Sequence, residues 1–124
     1  MTSRVWLRRA YDAPTRNDGY RVLVDRLWPR GVSREHLAVD EWLKEVAPSS
    51  DLRRWYDHRA ERWDEFRTRY LDELASGEAA EALASLVSLA RKRRVTLVYG
   101  ARDAELSNAA VLREAIEARL PAGD

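Results

Sequence analysis

The chain has 124 residues, and its 22 Lys and Arg residues nearly balance 21 Asp and Glu residues, which gives a formal net charge of +1. This charge argues neither for nor against a nucleic-acid partner. The length predicts one domain, residues 1–124, with a sizeable core. The absence of cysteine excludes disulfides, thiolate chemistry and Cys-based zinc sites. No apolar run approaches the ~20 residues of a membrane span. The first residues show no signal-peptide core, so we expect a cytoplasmic protein.

Three strands are predicted from apolar runs bounded by turn residues. The first is a short edge strand, because arginines interrupt its apolar residues, and the third, rich in Val and Leu, has the strongest strand pattern. A segment rich in Pro, Asn, Asp and Gly separates the first two strands. The predicted strands lie at 3–11, 20–25 and 95–99.

Helices are predicted from apolar residues that recur at helical spacing and from capping residues at the helix starts. Ser33 and Ser49 are predicted N-caps, and the most clearly amphipathic helix begins at Ala60. Basic residues at 91–94 lie where the dipole of a preceding helix favours cations. The predicted helices lie at 33–36, 40–47, 49–56, 60–75, 79–92 and 107–120.

The chain order of these elements predicts the fold class. Helices separate the second and third strands, and a crossover of this kind connects parallel strands. We therefore predict an α/β fold with a small, mainly parallel sheet and helices packed around it, in a three-layer Rossmann-like arrangement.

The first candidate site follows the strand at 20–25, where charged residues meet a break made by proline and glycine. Asp25, Arg26 and Arg30 are costly to bury there unless they pair with each other or bind a ligand. Two guanidinium groups can hold a phosphate or carboxylate, with Asp25 as an orienting group or as an acid or base, and with Trp28 as a wall. The alternative is a structural Asp–Arg pair that ties the strand end to a neighbouring helix.

The second candidate site follows the third predicted strand. If the second and third strands are parallel neighbours, Tyr99, Arg102 and Asp103 face the first cluster across one crevice, since ligands bind at the carboxyl ends of such strands. The N-terminus of the last helix, near Asn108, aims free amides at the same space, which suits an anion. The alternative is that Asp103 and Ser107 only cap that helix.

Other residues that could carry chemistry have simpler interpretations. Ser49, Arg53 and His58 are not spaced as a catalytic triad, and they are predicted to be a helix cap, a surface arginine and a solvated imidazole. His36 and His58 lack metal-ligand spacing, so no metal site is predicted. The sequence contains no P-loop, GxGxxG or GxSxG motif, so no cofactor is predicted either.

The run from Gly19 to Gly31, GYRVLVDRLWPRG, resembles the signature of the DUF488 family, in its YeaO-like group. The likeness continues at DEWLK (40–44), APS (47–49) and VTL (95–97), and it extends over nearly the whole chain. This resemblance implies a small, single-domain α/β protein of the bacterial cytosol. It implies no reaction, because the family is named for a domain without an assigned function.

The resemblance also marks one departure. Related sequences often carry a His-Asn pair just before the final helix, where this sequence has Leu106 and Ser107. Asn108 is then the nearest side-chain amide, so histidine-dependent catalysis at that edge is not implied for this chain. The charged cluster at the end of the second strand is intact.

Two functions from different classes are compared. The first is binding of an anionic small molecule or nucleotide fragment at the crevice, and whether a reaction follows is left open. Arg26, Arg30 and Arg102 supply the charge in this hypothesis. The second is a non-enzymatic module that binds nucleic acid or a partner protein through an Arg-rich helical face. Salt dependence discriminates between them, since nucleic-acid binding weakens steeply with salt. The residues of that face are Arg53, Arg54, Arg59 and Arg62.

Overall fold

The computed structural model describes residues 5–121. The strands are β1 (Val5–Arg9), β2 (Tyr20–Leu23), β3 (Glu41–Trp42) and β4 (Val95–Tyr99). Within the described range they form one parallel sheet in the order β1-β4-β2-β3, so β4 lies between two strands that precede it in the chain. The predicted edge position of β1 and the parallel sheet are both confirmed.

Five α-helices lie within the described residues, and short 3-10 turns precede or join several of them. The helices are α1 (Arg34–Leu37), α2 (Ser50–Tyr56), α3 (Trp63–Glu73), α4 (Gly77–Lys92) and α5 (Asn108–Glu117). The 3-10 turns are Arg16–Asp18, Lys44–Val46, Ala60–Arg62 and Ala104–Leu106. Ser33 and Ser49 accept hydrogen bonds from the backbone at the starts of α1 and α2, as predicted. The α/β prediction is therefore confirmed.

The bounds of two helices differ from those predicted. The residues expected to begin a helix at Ala60 form a 3-10 turn that leads into α3. Gly77, expected to end that helix, is the first residue of α4, with Ser76 in the N-cap position. No helix within residues 5–121 is both long enough and apolar enough to cross a membrane.

The two faces of the sheet are covered unequally. Successive side chains of a strand point to opposite faces, so Leu97 joins a large core beneath α2 to α5, while Val98 joins a small cluster on the other face. Leu37 of α1 and two tryptophans, Trp28 and Trp42, close that small cluster. The candidate site lies where the thicker helical layer meets the ends of the strands.

The segment 40–47 is an edge strand followed by a 3-10 turn, so the prediction of a helix there is wrong. The backbone N–H of Asp40 donates to the carbonyl of Arg21 at 2.8 Å, and that of Leu43 donates to the carbonyl of Leu23 at 2.9 Å. These bonds hold the segment beside β2. A strand of two residues is too short to show the alternation from which strands are predicted.

The amino end of the sheet contains a buried ion pair between Asp18 and Arg21. Arg21 Nη1 lies 2.6 Å from Asp18 Oδ2, and the two side chains are 5% and 1% exposed. Asp18 also accepts from the backbone N–H and the hydroxyl of Thr15, at 3.0 and 2.7 Å. Gly19 turns the chain between the pair at a φ of 67°, where a Cβ would lie 2.4 Å from the carbonyl oxygen of Arg94. This part of the predicted turn segment is therefore fixed by polar contacts.

Candidate functional site

A cleft of about 740 Å³ opens at the carboxyl ends of β2 and β4. These strands pair directly in parallel, as a shared crevice requires. The start of α5 and the helix α2 complete the cleft. Five of the eight predicted site residues line it, namely Asp25, Arg26, Arg102, Asp103 and Asn108.

The other three predicted site residues lie outside the cleft. The indole of Trp28 donates to the carbonyl of Val32 at 2.6 Å and packs edge-on against Trp42, with ring centroids 5.4 Å apart. Tyr99 is buried in the large core, with 2% of its surface exposed. Arg30 is exposed and does not line the cleft. The predicted walls and one predicted cation are therefore absent from this site.

Asp25 supplies a partly buried carboxyl group to the cleft. Its Oδ2 accepts from the backbone N–H of Gly100 at 2.8 Å, and its main-chain carbonyl accepts from the indole of Trp42 at 2.8 Å. Burial raises the pKa of Asp25, while hydrogen bonds from Gly100 and Asn108 and nearby cationic charges offset this only in part. Within residues 5–121, Asp25 forms no ion pair. The expected structural pairing of Asp25 with a neighbouring arginine is not found.

The residues beside Asp25 hold its carboxyl group in place. A Cβ at Gly100 would lie 3.2 Å from Asp25 Oδ2, so a side chain there would press on the carboxyl group. Asn108, the first residue of α5, donates from Nδ2 to the carbonyl of Val24 at 3.0 Å. The backbone of β4 and the start of α5 therefore position the carboxyl group together.

Two capping contacts stabilise the loop between β4 and α5. Ser107 Oγ accepts from the backbone N–H of Ala110 at 3.2 Å and caps α5, as the structural alternative predicted. Asp103 caps the preceding 3-10 turn instead, because it accepts from the backbone N–H of Glu105 at 2.9 Å. The free amides expected at the start of α5 are thus already partly bound.

Arg26 ties the end of β2 to the segment before α2. Its Nε and Nη2 donate to the carbonyls of Pro48 and Ala47, each at 3.2 Å. Immediately after them, the N–H and hydroxyl of Ser49 donate to Glu73 of α3 at 2.8 and 2.6 Å. The tie predicted as the structural alternative therefore exists, but backbone carbonyls are the partners of Arg26.

Arg53 and Arg102 place two cations at the cleft. Both line it and both are exposed, and neither guanidinium makes a hydrogen bond or ion pair with another residue in 5–121. The positive charge of Arg53 acts on Asp25 and lowers its pKa against the effect of burial. Sequence analysis correctly predicted that Arg53 is exposed. It missed the position of Arg53 in the cleft, because helical spacing predicts which residues are exposed and does not predict which other segments lie near them.

His58 is a second lining residue that sequence analysis did not select. It follows Asp57 in a tight turn after α2, and these two residues have φ values of 54° and 50°, in the left-handed region. The ring centroid of His58 lies 6.2 Å from that of Tyr56. Among the described residues, no group of three or more His, Cys, Asp or Glu side chains is placed to hold a metal ion.

Apolar residues form the rest of the cleft wall. Leu27 is 59% exposed and lines the cleft, as do Pro48 and Leu106. Behind them, Tyr56 and Phe66 are stacked with ring centroids 4.2 Å apart, and the Tyr56 hydroxyl donates to the carbonyl of Leu106 at 3.0 Å. The cleft therefore combines a partly buried acid, two exposed cations and apolar walls.

The chain has a parallel α/β fold, and sequence comparison assigns it to a family. The chain belongs to the DUF488 family. The family model that matches it covers residues 4–124 and is described as an inactive DUF488-N3 subclade. The resemblance predicted from the GYRVLVDRLWPRG run is thereby confirmed.

Bacterial relatives match the chain over most of their length. The uncharacterized protein Rv3073c of Mycobacterium tuberculosis strain H37Rv is 44% identical over 117 residues, which cover 94% of this chain and 97% of the relative. The uncharacterized protein YeaO of Escherichia coli strain K12 is 42% identical over 107 residues, which cover 86% of this chain and 91% of the relative. No solved structure gives a significant match.

Proposed function

We propose that this protein is a cytoplasmic binding protein for an anionic small molecule or nucleotide fragment, which it holds in the cleft without transforming it. The observation that carries the proposal is the pair of guanidinium groups of Arg53 and Arg102, which line one concave site and have no partner within residues 5–121. Guanidinium groups bind phosphate and carboxylate oxygens through parallel N–H donors. Two unpaired guanidinium groups at one cleft therefore favour an anionic ligand.

The size and lining of the cleft support a ligand of moderate size. Its volume of about 740 Å³ falls within the roughly 300–1,000 Å³ of typical ligand pockets. The apolar walls include Leu27, Pro48 and Leu106, and charged groups such as Asp25 and Arg53 line the same cleft. Apolar walls of this kind bury the body of a ligand, and the polar groups orient it.

Binding without reaction is supported by the family and by the hydroxyl group available. The matching family model is described as an inactive subclade. Ser107 is the serine that lines the cleft, and its hydroxyl donates to the carbonyl of Ala104 at 2.8 Å while it caps α5. A hydroxyl that donates to a backbone carbonyl is not donating to a base that could activate it as a nucleophile. Asp25 accordingly serves as a positioning group in this proposal.

A thermal-shift screen with a matched pair of variants tests the proposal. Nucleotides, nucleosides, sugar phosphates and inorganic anions are each added to the purified protein, since a ligand that binds only the folded state raises the melting temperature. We expect a stabilising anionic ligand whose effect is lost in Arg53→Ala and kept in Arg54→Ala. Arg54 is the next residue of α2 and forms an ion pair with Asp51, so it is a suitable control. Absence of any shift across the panel would contradict the proposal.

The Arg-rich helical face is less favoured as a binding surface. Arg54 pairs with Asp51, and Arg59 lies 3.8 and 3.9 Å from carboxylate oxygens of Asp57 and Glu61. Arg62 donates to the carbonyl of Trp55. Three of the four arginines are therefore already engaged within their own segment, and Arg53 belongs to the cleft. Nucleic-acid binding that weakens log-linearly with salt would support this second function instead.

A further inference from the structure

We propose that the cleft binds a guanine nucleotide, with the base directed inward to Asp25 and the phosphate directed outward to Arg53 and Arg102. This inference rests on the proposed function and deepens it, because it names the ligand class and the direction in which it binds. Three parts of the cleft carry it, and each part excludes other ligands for a different reason.

The inner part of the cleft contains an acceptor of hydrogen bonds. Asp25 is partly buried beside Gly100, it lines the cleft, and no ion pair neutralises it among the described residues. An ionised carboxylate has acceptor sites only and repels other anions. The anionic end of a ligand therefore cannot lie against Asp25, whereas a group with N–H donors can.

The outer part contains the two cations and the carboxylate of Asp103, which accepts from the backbone N–H of Glu105 at 2.9 Å. Arg53 and Arg102 are exposed at the cleft, and their N–H donors have no partner within residues 5–121. Phosphate oxygens match the donor geometry of guanidinium groups. With the acid inside and the cations outside, the ligand must carry its donors at one end and its negative charge at the other.

The apolar lining of the cleft suits a flat ring. Leu27, Pro48 and Leu106 line the same cleft as the acid and the cations, and Leu27 leaves 59% of its surface uncovered. An aromatic base with its ribose would cover such a surface. The cleft volume of about 740 Å³ is large enough for a whole nucleotide.

The donor pattern selects guanine among the common bases. Guanine presents a ring N–H and an adjacent amino group on one edge, so it can give a carboxylate two parallel hydrogen bonds. Adenine and cytosine place an acceptor nitrogen beside their amino group, and uracil places carbonyl oxygens on both sides of its single N–H. Each of these three bases therefore brings an acceptor toward the acceptor oxygens of Asp25.

Calorimetric titration of the wild-type protein with GMP, IMP, AMP and guanosine tests the inference. We expect GMP to bind at least about tenfold more tightly than AMP, since hydrogen bonds to a charged group are among the strong ones. IMP keeps the ring N–H and lacks the amino group, so its affinity should be intermediate. Guanosine lacks the phosphate and should bind about tenfold more weakly than GMP.

Variants assign each end of the ligand to its residues. Asp25→Asn should abolish the preference for GMP over AMP, and Arg53→Ala should abolish the preference for GMP over guanosine. Arg54→Ala is the control and should leave both preferences unchanged. The comparison of GMP, IMP and AMP on the wild-type protein remains decisive even if Asp25→Asn does not fold.

Two failures can be told apart. Equal affinities for GMP, AMP and ribose 5-phosphate would show that the base does not meet Asp25, which overturns this inference and leaves the proposed anion binding intact. Absence of binding by every nucleotide, sugar phosphate and inorganic anion would overturn the proposed function and this inference together.

Discussion

The two ends of the sheet surround a carboxyl group in opposite ways, and that group is buried at the amino end and partly buried at the carboxyl end. At the amino end, Asp18 is paired with Arg21 at 2.6 Å, and Arg8 Nε lies 3.3 Å from its other oxygen. At the carboxyl end, Asp25 accepts a backbone hydrogen bond from Gly100 and has no ion pair among residues 5–121. The cations nearest to the second carboxyl group line a cleft instead of contacting it.

The pKa values of the two groups move in opposite directions. Burial raises the pKa of Asp18, but hydrogen bonds from Thr15 and Arg21 outweigh burial, so the pKa lies below its ordinary value. Burial also raises the pKa of Asp25, and there the opposing contacts do not outweigh it. A buried charged group that is fully ion-paired and hydrogen-bonded is typical of a structural role. A charged group that is incompletely paired beside a cleft is typical of a binding site. We therefore assign the amino end to stability and propose binding at the carboxyl end.

The largest loss of stability is expected from Asp18→Asn, which removes the carboxylate and leaves Arg21 buried without its counter-charge. Breaking one side of a buried pair costs about 3–5 kcal/mol. The free energy of unfolding, measured in urea, should fall by that amount. Asp12→Asn is the control, because Asp12 is exposed in the same turn segment, and its effect should stay within about 0.5 kcal/mol. A loss below 1 kcal/mol for Asp18→Asn would show that this end is not the structural one.

A smaller loss of stability is expected from Arg26→Met, which removes the donors to the carbonyls of Pro48 and Ala47. Leaving these acceptors without partners should cost about 1–3 kcal/mol. Arg30→Met is the matched control, because Arg30 is exposed outside the cleft. Equal unfolding midpoints for the two variants would contradict the role of Arg26 as a tie between β2 and the segment before α2.

At the carboxyl end, Asp25→Asn should stabilise the protein by about 1 kcal/mol at neutral pH, the usual size of the gain when a site residue that works against stability is replaced. The folded pKa of Asp25 is raised, so wild-type stability decreases as the pH rises from the unfolded value of about 3.9 through the folded value. Asparagine does not ionise, so the gain should disappear at a pH below both values. Unfolding curves of both proteins, collected from pH 3 to pH 7, measure the difference in stability between Asp25→Asn and the wild type. A difference that does not change with pH would contradict this explanation.

The smallest effect on stability is expected from Arg102→Ala. The guanidinium group has no partner within the described residues, so the free energy of unfolding should change by less than about 0.5 kcal/mol. Its effect should appear in ligand affinity instead. Thermal melting with and without the stabilising ligand separates these two quantities. A clear loss of stability without ligand would assign Arg102 a structural role.

Much of this arrangement follows from local sequence. Helices between the second and third predicted strands indicate a parallel crossover, and β2 and β4 are indeed neighbours. That pairing brings Asp25 and Arg102 to one cleft, as predicted from their places after two strands. The caps Ser33, Ser49 and Ser107 were also predictable, because capping depends on a few adjacent residues.

The parts that were missed depend on contacts between distant segments. Arg53 lines the cleft because Arg26 and Glu73 hold the start of α2 near the strand ends, and no spacing along the chain encodes those contacts. An Asp–Arg pair was one alternative at the end of β2, whereas the buried pair lies at its beginning, between Asp18 of the predicted turn segment and Arg21 of β2. Trp28 was expected in the cleft, yet its indole is bound within its own loop on the opposite face.

The position of β4 has a consequence for how the chain is made. This strand fills the space between β1 and β2, and Val5 at the start of β1 lies opposite Val95. During synthesis the first two strands leave the ribosome long before the strand that joins them. The sheet can therefore assemble only near the end of translation, after the closure of a very long loop. Until then the sheet can contain at most the short β2–β3 pairing, so the edges of the early strands stay unpaired during most of synthesis.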